Sequence, residues 1–227
     1  AINMLKGTEA ESLIPSVRSF IAINNMHLGV AALKSKDYDL ARKLFDKAVE
    51  DAKEGSDAQK MALRWLGRLY STQSQNLRIE GRDTQQALQF SLEAEKFFNK
   101  ANAVDLLLKE QLVRASILTD LSKDDEAEIL LLSIISANKD QNHEVKGFIE
   151  GNALYCLGGI ELRSERFSQA IQHLEQAYNL CKAVGDKNAE VYARLAAKKL
   201  SILYSGQIPD ESKFALWKQR CDELKSE

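Results

Sequence analysis

The stretch NALYCLGGIELRSERFSQAIQHLEQAYNL, residues 152–180, places a glycine inside a run of helix-forming residues and follows it with small and large side chains in turn. After Gly158 come Ala170, Leu174 and Ala177. A glycine inside a helix costs about 1 kcal/mol relative to alanine, so its presence indicates that another helix approaches the backbone closely. We therefore predict two helices that cross at Gly158.

The same spacing recurs along the chain, which is the mark of a repeated unit. The glycines and the small residues that follow them are Gly29 with Ala41 and Ala48, and Gly67 with Ala87 and Ala94. Phe45 occupies the large position of the first segment, whereas Ser91 stands there in the second. Weaker copies have Ala115 followed by Ala127, Leu131 and Ile134, and then Ala196 or Ala197. The glycine or alanine positions are about 42 residues apart on average.

The composition favours an all-helical protein. The chain has 227 residues, of which 44% are hydrophobic, with only two prolines. This apolar fraction is enough for a substantial core, and good helix formers dominate the rest. No segment alternates apolar and polar residues with the β-branched enrichment that strands require. We expect α-helices throughout.

These residues resemble the tetratricopeptide repeat, a helix-turn-helix unit of about 34 residues in which a small residue of the first helix packs against small residues of the second. The resemblance implies a right-handed superhelical solenoid of about four to five repeats with a C-terminal capping helix, in one domain over residues 1–227. The repeats are expected near 22–53, 60–100, 103–137, 151–183 and 187–205, and the capping helix at 211–225.

The longer period is similar to that of the long-helix repeats of kinesin light chains and Rap-type peptide receptors. Part of the extra length falls at STQSQNLRIEGRDTQ, residues 71–85, which lengthens either the first helix of the second unit or its loop. We place the helices of that unit at 57–74 and 83–100 and expect an exposed loop between them.

The tetratricopeptide family binds partners through a concave groove lined by the first helix of each repeat, and the resemblance implies which residues face it. The predicted partner-binding residues are Met26, Val30, Arg64, Arg68, Lys109, Leu112, Asn152 and Tyr155. Arg64 and Arg68 lie one turn apart and are suited to grip a carboxylate through two-pronged hydrogen bonds. The alternative is that they pair with acidic residues of the adjacent helix. Met26 and Val30 occupy the positions where the chaperone-binding carboxylate clamp requires lysine and asparagine, so that clamp is not expected.

The sequence contains no motif for catalysis, cofactor binding or metal binding. His27, His143 and His173 lie in different units, and none is near a cysteine at ligand spacing. Phosphate-binding glycine loops and nucleophile motifs are missing. The acidic residues alternate with lysines, as they do on solvated helix faces. We predict that the protein is not an enzyme and takes no metal or cofactor.

The net charge of −2 is unfavourable for direct nucleic-acid binding, and the apolar runs are too short for membrane insertion. The three cysteines have no close pair, which favours a reducing compartment. We expect a cytoplasmic protein, or the soluble domain of a larger or anchored one.

The predicted function is a protein-protein interaction module, an adaptor or scaffold that holds a protein or peptide partner in its groove. Two other classes remain open: a sensor gated by a peptide ligand, and a structural subunit of a multiprotein complex that uses its convex face or its ends. The last helix carries Phe214 and Trp217, which are expected to cap the helical array more readily than to dock a partner, and Asp210 is placed to cap that helix.

Overall fold

The computed structural model of the chain describes residues 13–138 and 143–224, and over these residues it is helical with no strand. The prediction of an all-helical protein is therefore confirmed. The ten helices of the described residues are α1 (Ile14–Lys34), α2 (Tyr38–Asp51), α3 (Asp57–Glu80), α4 (Thr84–Lys100), α5 (Val104–Asp120), α6 (Asp124–Ala137), α7 (His143–Arg163), α8 (Phe167–Val184), α9 (Lys187–Ser205) and α10 (Glu211–Glu223). Residue 225 of the predicted capping helix lies outside the described residues.

Several helices begin at a short polar residue whose side chain accepts a hydrogen bond from the first turn. Asp210 is the clearest test, because its side chain accepts from the Lys213 backbone N–H at 3.0 Å, as the sequence predicted. Such a cap contributes about 1 kcal/mol to helix stability. The other caps of this kind are Asp37, Ser56, Asp83 and Asp186.

The helices form two compact units, one up to Glu110 and one from Gln111, with the boundary inside α5. In the first unit each of α1 to α3 packs against the next helix, and α1 also packs against α3. In the second unit each of α6 to α9 packs against the next helix, and α7 also packs against α9. In both units the first helix of a hairpin therefore contacts its own partner and the first helix of the next hairpin, as in a helical repeat.

The predicted crossing points are present in the hairpins α1–α2 and α7–α8. A methyl group built on Gly29 would lie 2.5 Å from Cε1 of Phe45, and one built on Gly158 would lie 2.6 Å from Cγ of Leu174. Both distances are far below normal contact, so a large side chain of the second helix packs directly on the glycine of the first, where a larger residue would not fit without a shift. The glycine spacing identified these helix pairs correctly.

The hairpin α3–α4 crosses at a different residue from the one that the sequence spacing suggested. Gly67 lies against the ring of Phe98, with 2.6 Å between a built methyl group and Cδ1 of Phe98. The small residues on either side of the ring are Ala94 and Ala101, both fully buried. Ala87, which the spacing paired with Gly67, lies closer to the turn of the hairpin, where its carbonyl accepts a hydrogen bond from Ser74.

The shift follows from the length of α3. This helix continues to Glu80, where Gly81 in the left-handed conformation ends it. The prediction that the helix ends at residue 74 and is followed by a long loop was therefore wrong. Because α3 has extra turns after Gly67, α4 must run for the same number of extra turns before it lies opposite Gly67 again. The residue opposite Gly67 accordingly comes later in the sequence than its counterparts in the other hairpins.

Three hairpin turns share one geometry. In each, a non-glycine residue has positive φ, and the backbone N–H of the following residue donates to a carbonyl five residues earlier, which is the Schellman arrangement. The residues with positive φ are Lys36 between α1 and α2, Ser122 between α5 and α6, and Glu165 between α7 and α8. Asn102, between α4 and α5, has the same geometry, so this turn recurs along the chain both within hairpins and between them.

The C-terminal helix α10 packs against α9 and covers part of α8. The Trp217 side chain is 3% exposed and its ring lies edge-on to that of Tyr178, with 5.2 Å between the centroids. Phe214 is half-buried. Trp217 therefore belongs to the core under α10, as expected for a capping helix.

Candidate functional site

Arg64 and Arg68 lie on the exposed face of α3, one turn apart. Among residues 13–138 and 143–224, neither guanidinium takes part in an ion pair. The alternative from the sequence, that the two arginines pair with acidic residues of an adjacent helix, has no support in this part of the chain. With Met61, which is 50% exposed, they form a surface that we call the α3 patch.

The α3 patch is backed by aromatic side chains. The guanidinium carbon of Arg68 lies 4.9 Å from the centroid of the Trp65 ring. Trp65 is half-buried and stacks on Phe45, with 6.0 Å between centroids and 11° between planes. Because Phe45 is the residue that fills the Gly29 crossing, the tryptophan is fixed by the core of the first unit. The ring in turn holds Arg68 by a cation–π contact and leaves its hydrogen-bond donors facing solvent.

Two arginines of the second unit are paired with carboxylates. Arg163 makes two hydrogen bonds to Asp124, at 2.7 and 3.2 Å, and Arg166 makes two to Glu128, at 2.6 and 2.9 Å. The hydrogen bonds from Arg166 hold the pKa of Glu128 below its usual value. These pairs join α6 to the last residue of α7 and to the turn that follows it, so their role is structural. Arg64 and Arg68 have no such carboxylate among the described residues, and they lie one turn apart on an exposed helix face.

Three of the predicted groove residues are buried. Met26 is 4% exposed and packs in a core cluster with Ala22, Ala48 and Ala62. Leu112 and Asn152 are also buried. These side chains contribute to packing and do not present a surface to a partner.

The remaining predicted residues reach the surface to different degrees. Lys109 is exposed on α5, Val30 is half-buried on α1, and Tyr155 is half-buried on α7. Val30 packs against the core cluster that contains Phe45. Of the eight predicted residues, Arg64, Arg68 and Lys109 are exposed, and the two arginines are next to each other on one helix.

Sequence reasoning found only Tyr155 of a surface in the second unit, where α7 and α9 pack together. Four side chains follow one another in a row that we call the α7–α9 row: Phe148, Tyr192, Tyr155 and Lys199. The ring centroids of Phe148 and Tyr192 are 5.9 Å apart, and those of Tyr192 and Tyr155 are 5.7 Å apart. The ammonium nitrogen of Lys199 lies 5.3 Å from the centroid of Tyr155. The seven-residue intervals Phe148–Tyr155 and Tyr192–Lys199 are the signal that could have found it.

Partial burial changes the titration of two members of this row. Desolvation raises the pKa of Tyr155 to about 12, so the phenol is neutral at physiological pH. Desolvation, and then the nearby charge of Arg163, lower the pKa of Lys199. The ammonium ion of Lys199 is therefore less stable than that of a solvated lysine.

Other polar side chains of the second unit serve packing. Nδ1 of His173 lies 2.9 Å from both carboxylate oxygens of Glu161, which is buried. The contact joins α8 to α7 and satisfies a buried carboxylate. Cys181 is buried against Gly151, and desolvation raises the pKa of its thiol to about 12, which makes it a poor nucleophile.

Within residues 13–138 and 143–224, no three or more histidine, cysteine, aspartate or glutamate side chains are grouped as metal ligands would be. No helix in the same part of the chain is long and apolar enough to cross a membrane.

Comparison with known proteins gives no relative: no protein-family model, no curated protein and no solved structure matches this chain.

Proposed function

We propose that this chain is a tetratricopeptide-like repeat protein and acts as a non-catalytic interaction module that binds an acidic segment of a protein partner. The observation that carries the proposal is the α3 patch, with two exposed guanidiniums one turn apart and no carboxylate partner among the described residues. The repeated glycine crossings and hairpin turns support the repeat assignment. The three reduced thiols are typical of a reducing compartment, and we place the protein in the cytoplasm.

The physical reason for an acidic ligand is the chemistry of the guanidinium group. Arginine offers several donors in a plane and matches a carboxylate with two parallel hydrogen bonds, which are stronger than neutral ones. Trp65 holds Arg68 by its ring, so less side-chain freedom is lost when a ligand binds. Met61 beside the arginines supplies apolar area, which a binding surface needs in addition to charge.

A selection from a library of random displayed peptides tests this function. We expect enrichment of peptides with aspartate or glutamate. Arg64→Ala together with Arg68→Ala should reduce the enrichment. The matched control is Lys43→Ala with Lys47→Ala, which removes two exposed cations four residues apart on α2. Enrichment of uncharged peptides, or equal enrichment by the arginine variant, would count against the proposal.

A structural subunit of a larger assembly is the second candidate, and one observation favours it. The helix α1 exposes several large apolar residues, of which Phe20 is 73% exposed. Ile23 and Leu28 lie on the same helix and are also exposed. Apolar area of this kind is typical of surfaces that contact another protein. If this candidate is correct, Phe20→Ser should release the chain from a stable complex, and the arginine variant should not.

A further inference from the structure

The α7–α9 row is a fixed surface with an apolar end and a charged end. Its three rings meet edge to face, at interplanar angles of 77° for Phe148 with Tyr192 and 65° for Tyr155 with Tyr192. Edge-to-face contacts at these distances are the favourable geometry for aromatic pairs. The rings come from two helices that pack together, so the row moves little when a ligand binds.

The charged end has a cation without a counter-ion. Lys199 is half-buried, and no carboxylate of the described residues lies within ion-pair distance of its ammonium group. The guanidinium of Arg163, which also acts on Lys199, is positive and is already engaged by Asp124. The ring of Tyr155 compensates only part of the lost hydration. A carboxylate placed beside Lys199 would supply the missing interaction.

Gly159 allows this arrangement. A methyl group built on Gly159 would lie 3.5 Å from the Lys199 ammonium nitrogen and 3.9 Å from its Cε, so the lysine side chain lies across the backbone of α7 at this point. A residue with a large side chain here would push the lysine away from Tyr155. A small residue at position 159 therefore leaves the space that the lysine occupies, and a methyl group would still fit there at normal contact distance.

We propose that the α7–α9 row binds a short extended peptide segment, with a glutamate or aspartate at Lys199 and an apolar side chain at Phe148 and Tyr192. An extended chain advances about 3.3 Å per residue, so the contacts along the row correspond to about four or five residues of ligand. Tyr155 lies between the two ends and offers both a ring and a hydroxyl group. The inference rests on the proposed function only for the nature of the ligand, a peptide.

Nuclear magnetic resonance of the ¹⁵N-labelled full chain tests this site directly. The probes are the peptides acetyl-Leu-Ser-Ser-Glu-amide and acetyl-Glu-Ser-Ser-Leu-amide, which present the two groups in either direction. We expect saturable shifts of backbone amides in residues 148–159 and 192–199. Replacing glutamate by glutamine in the probe should weaken binding at least fivefold.

Variants then separate the role of Lys199 from a general effect of charge. Lys199→Gln should weaken the better probe at least fivefold, whereas Lys198→Gln, which removes the adjacent exposed lysine, should leave its affinity unchanged. Gly159→Leu should weaken the probe as well, because it displaces the lysine. The Gly159→Leu variant keeps the inference testable if Lys199→Gln does not fold.

The outcomes distinguish this inference from the proposed function. Shifts confined to α3, equal affinity for the glutamine probes, or equal effects of the two lysine variants would overturn the α7–α9 site. The same would follow from the absence of saturable shifts in α7 and α9. Shifts in α7 and α9 that are the same in wild type and in the Arg64→Ala, Arg68→Ala variant, with no shifts in α3 of the wild type, would count against the α3 patch and leave this site standing.

Discussion

The ring of Phe98 lies against Gly67 at the crossing of α3 and α4, where a methyl group on the glycine would come within 2.6 Å of Cδ1 of the ring. Phe45 lies against Gly29 in the same way, so one packing device is used in hairpins of different length. The ring fills the space that the missing side chain leaves, and the two helices lock at that level.

A double-mutant cycle tests this pairing. Gly67→Ala should destabilise the protein by about 1–3 kcal/mol because the methyl group overpacks the ring. The cost should fall by at least about 0.5 kcal/mol when Phe98→Leu is also present, since residues in contact are coupled. In the Ser91→Ala background it should be unchanged, because Ser91 hydrogen-bonds to Glu110 instead. Coupling to Ser91 and not to Phe98 would contradict the observed register, and chemical denaturation measures both.

Neighbouring glycines in α7 give a matched pair of substitutions. Gly158→Ala should lower stability by about 1–3 kcal/mol, since the new methyl group meets Leu174 at 2.6 Å. Gly159→Ala should be neutral or stabilising by up to about 1 kcal/mol, because its methyl group meets only the end of the Lys199 side chain at normal distance. Thermal unfolding of the two variants checks this. Equal melting temperatures would remove the argument for a close crossing at Gly158.

The buried carboxyl group of Glu110 predicts a dependence of stability on pH. Glu110 is 2% exposed and accepts a hydrogen bond from the Ser91 hydroxyl at 2.7 Å. Burial raises the pKa of Glu110 above its usual value, and hydrogen bonds from Ser71 and Ser91 offset part of that shift. Because the folded pKa is the higher one, the stability contribution is present at low pH and is lost as pH rises through the folded pKa.

The test is the unfolding free energy of wild type and Glu110→Gln between pH 4 and pH 7. The glutamine variant keeps the hydrogen-bond acceptor but has no charge to bury. We expect wild type to lose stability relative to the variant as pH rises across this range. A difference that does not change with pH, or that changes in the opposite direction, would contradict the assignment.

Much of the fold could be predicted because it depends on local chemistry. The glycine followed by small and large residues located the crossings at Gly29 and Gly158, and Asp210 located the start of α10. The register of α3 with α4 could not be predicted in the same way. Residues 71–80 are polar and read as a loop, yet Ser74 donates to the Ala87 carbonyl at 2.8 Å from inside the hairpin. A polar side chain that hydrogen-bonds to a buried carbonyl leaves no periodic signal in a single sequence, so this helical segment could not be recognised.

The candidate site was predictable only in part. Arg64 and Arg68 are exposed on one helix, where helical periodicity places them together. Met26 and Asn152 were expected at the surface from their repeat positions, but the helices pack closely enough to bury them. Lys199 was missed because its place depends on α9 packing against α7, and the sequence left the register of α9 open between Ala196 and Ala197.

The central claim, that the α3 patch binds an acidic segment, is tested most directly by the affinity of a selected acidic peptide at two salt concentrations. We predict that Arg64→Ala with Arg68→Ala weakens binding at least about tenfold, or about 1.4 kcal/mol, in 50 mM salt. The effect should be smaller in 500 mM salt, because screening shortens the reach of the charges. Circular dichroism should show unchanged helicity, since exposed charges contribute little to stability. Undiminished binding by the folded double variant at both salt concentrations would contradict the claim.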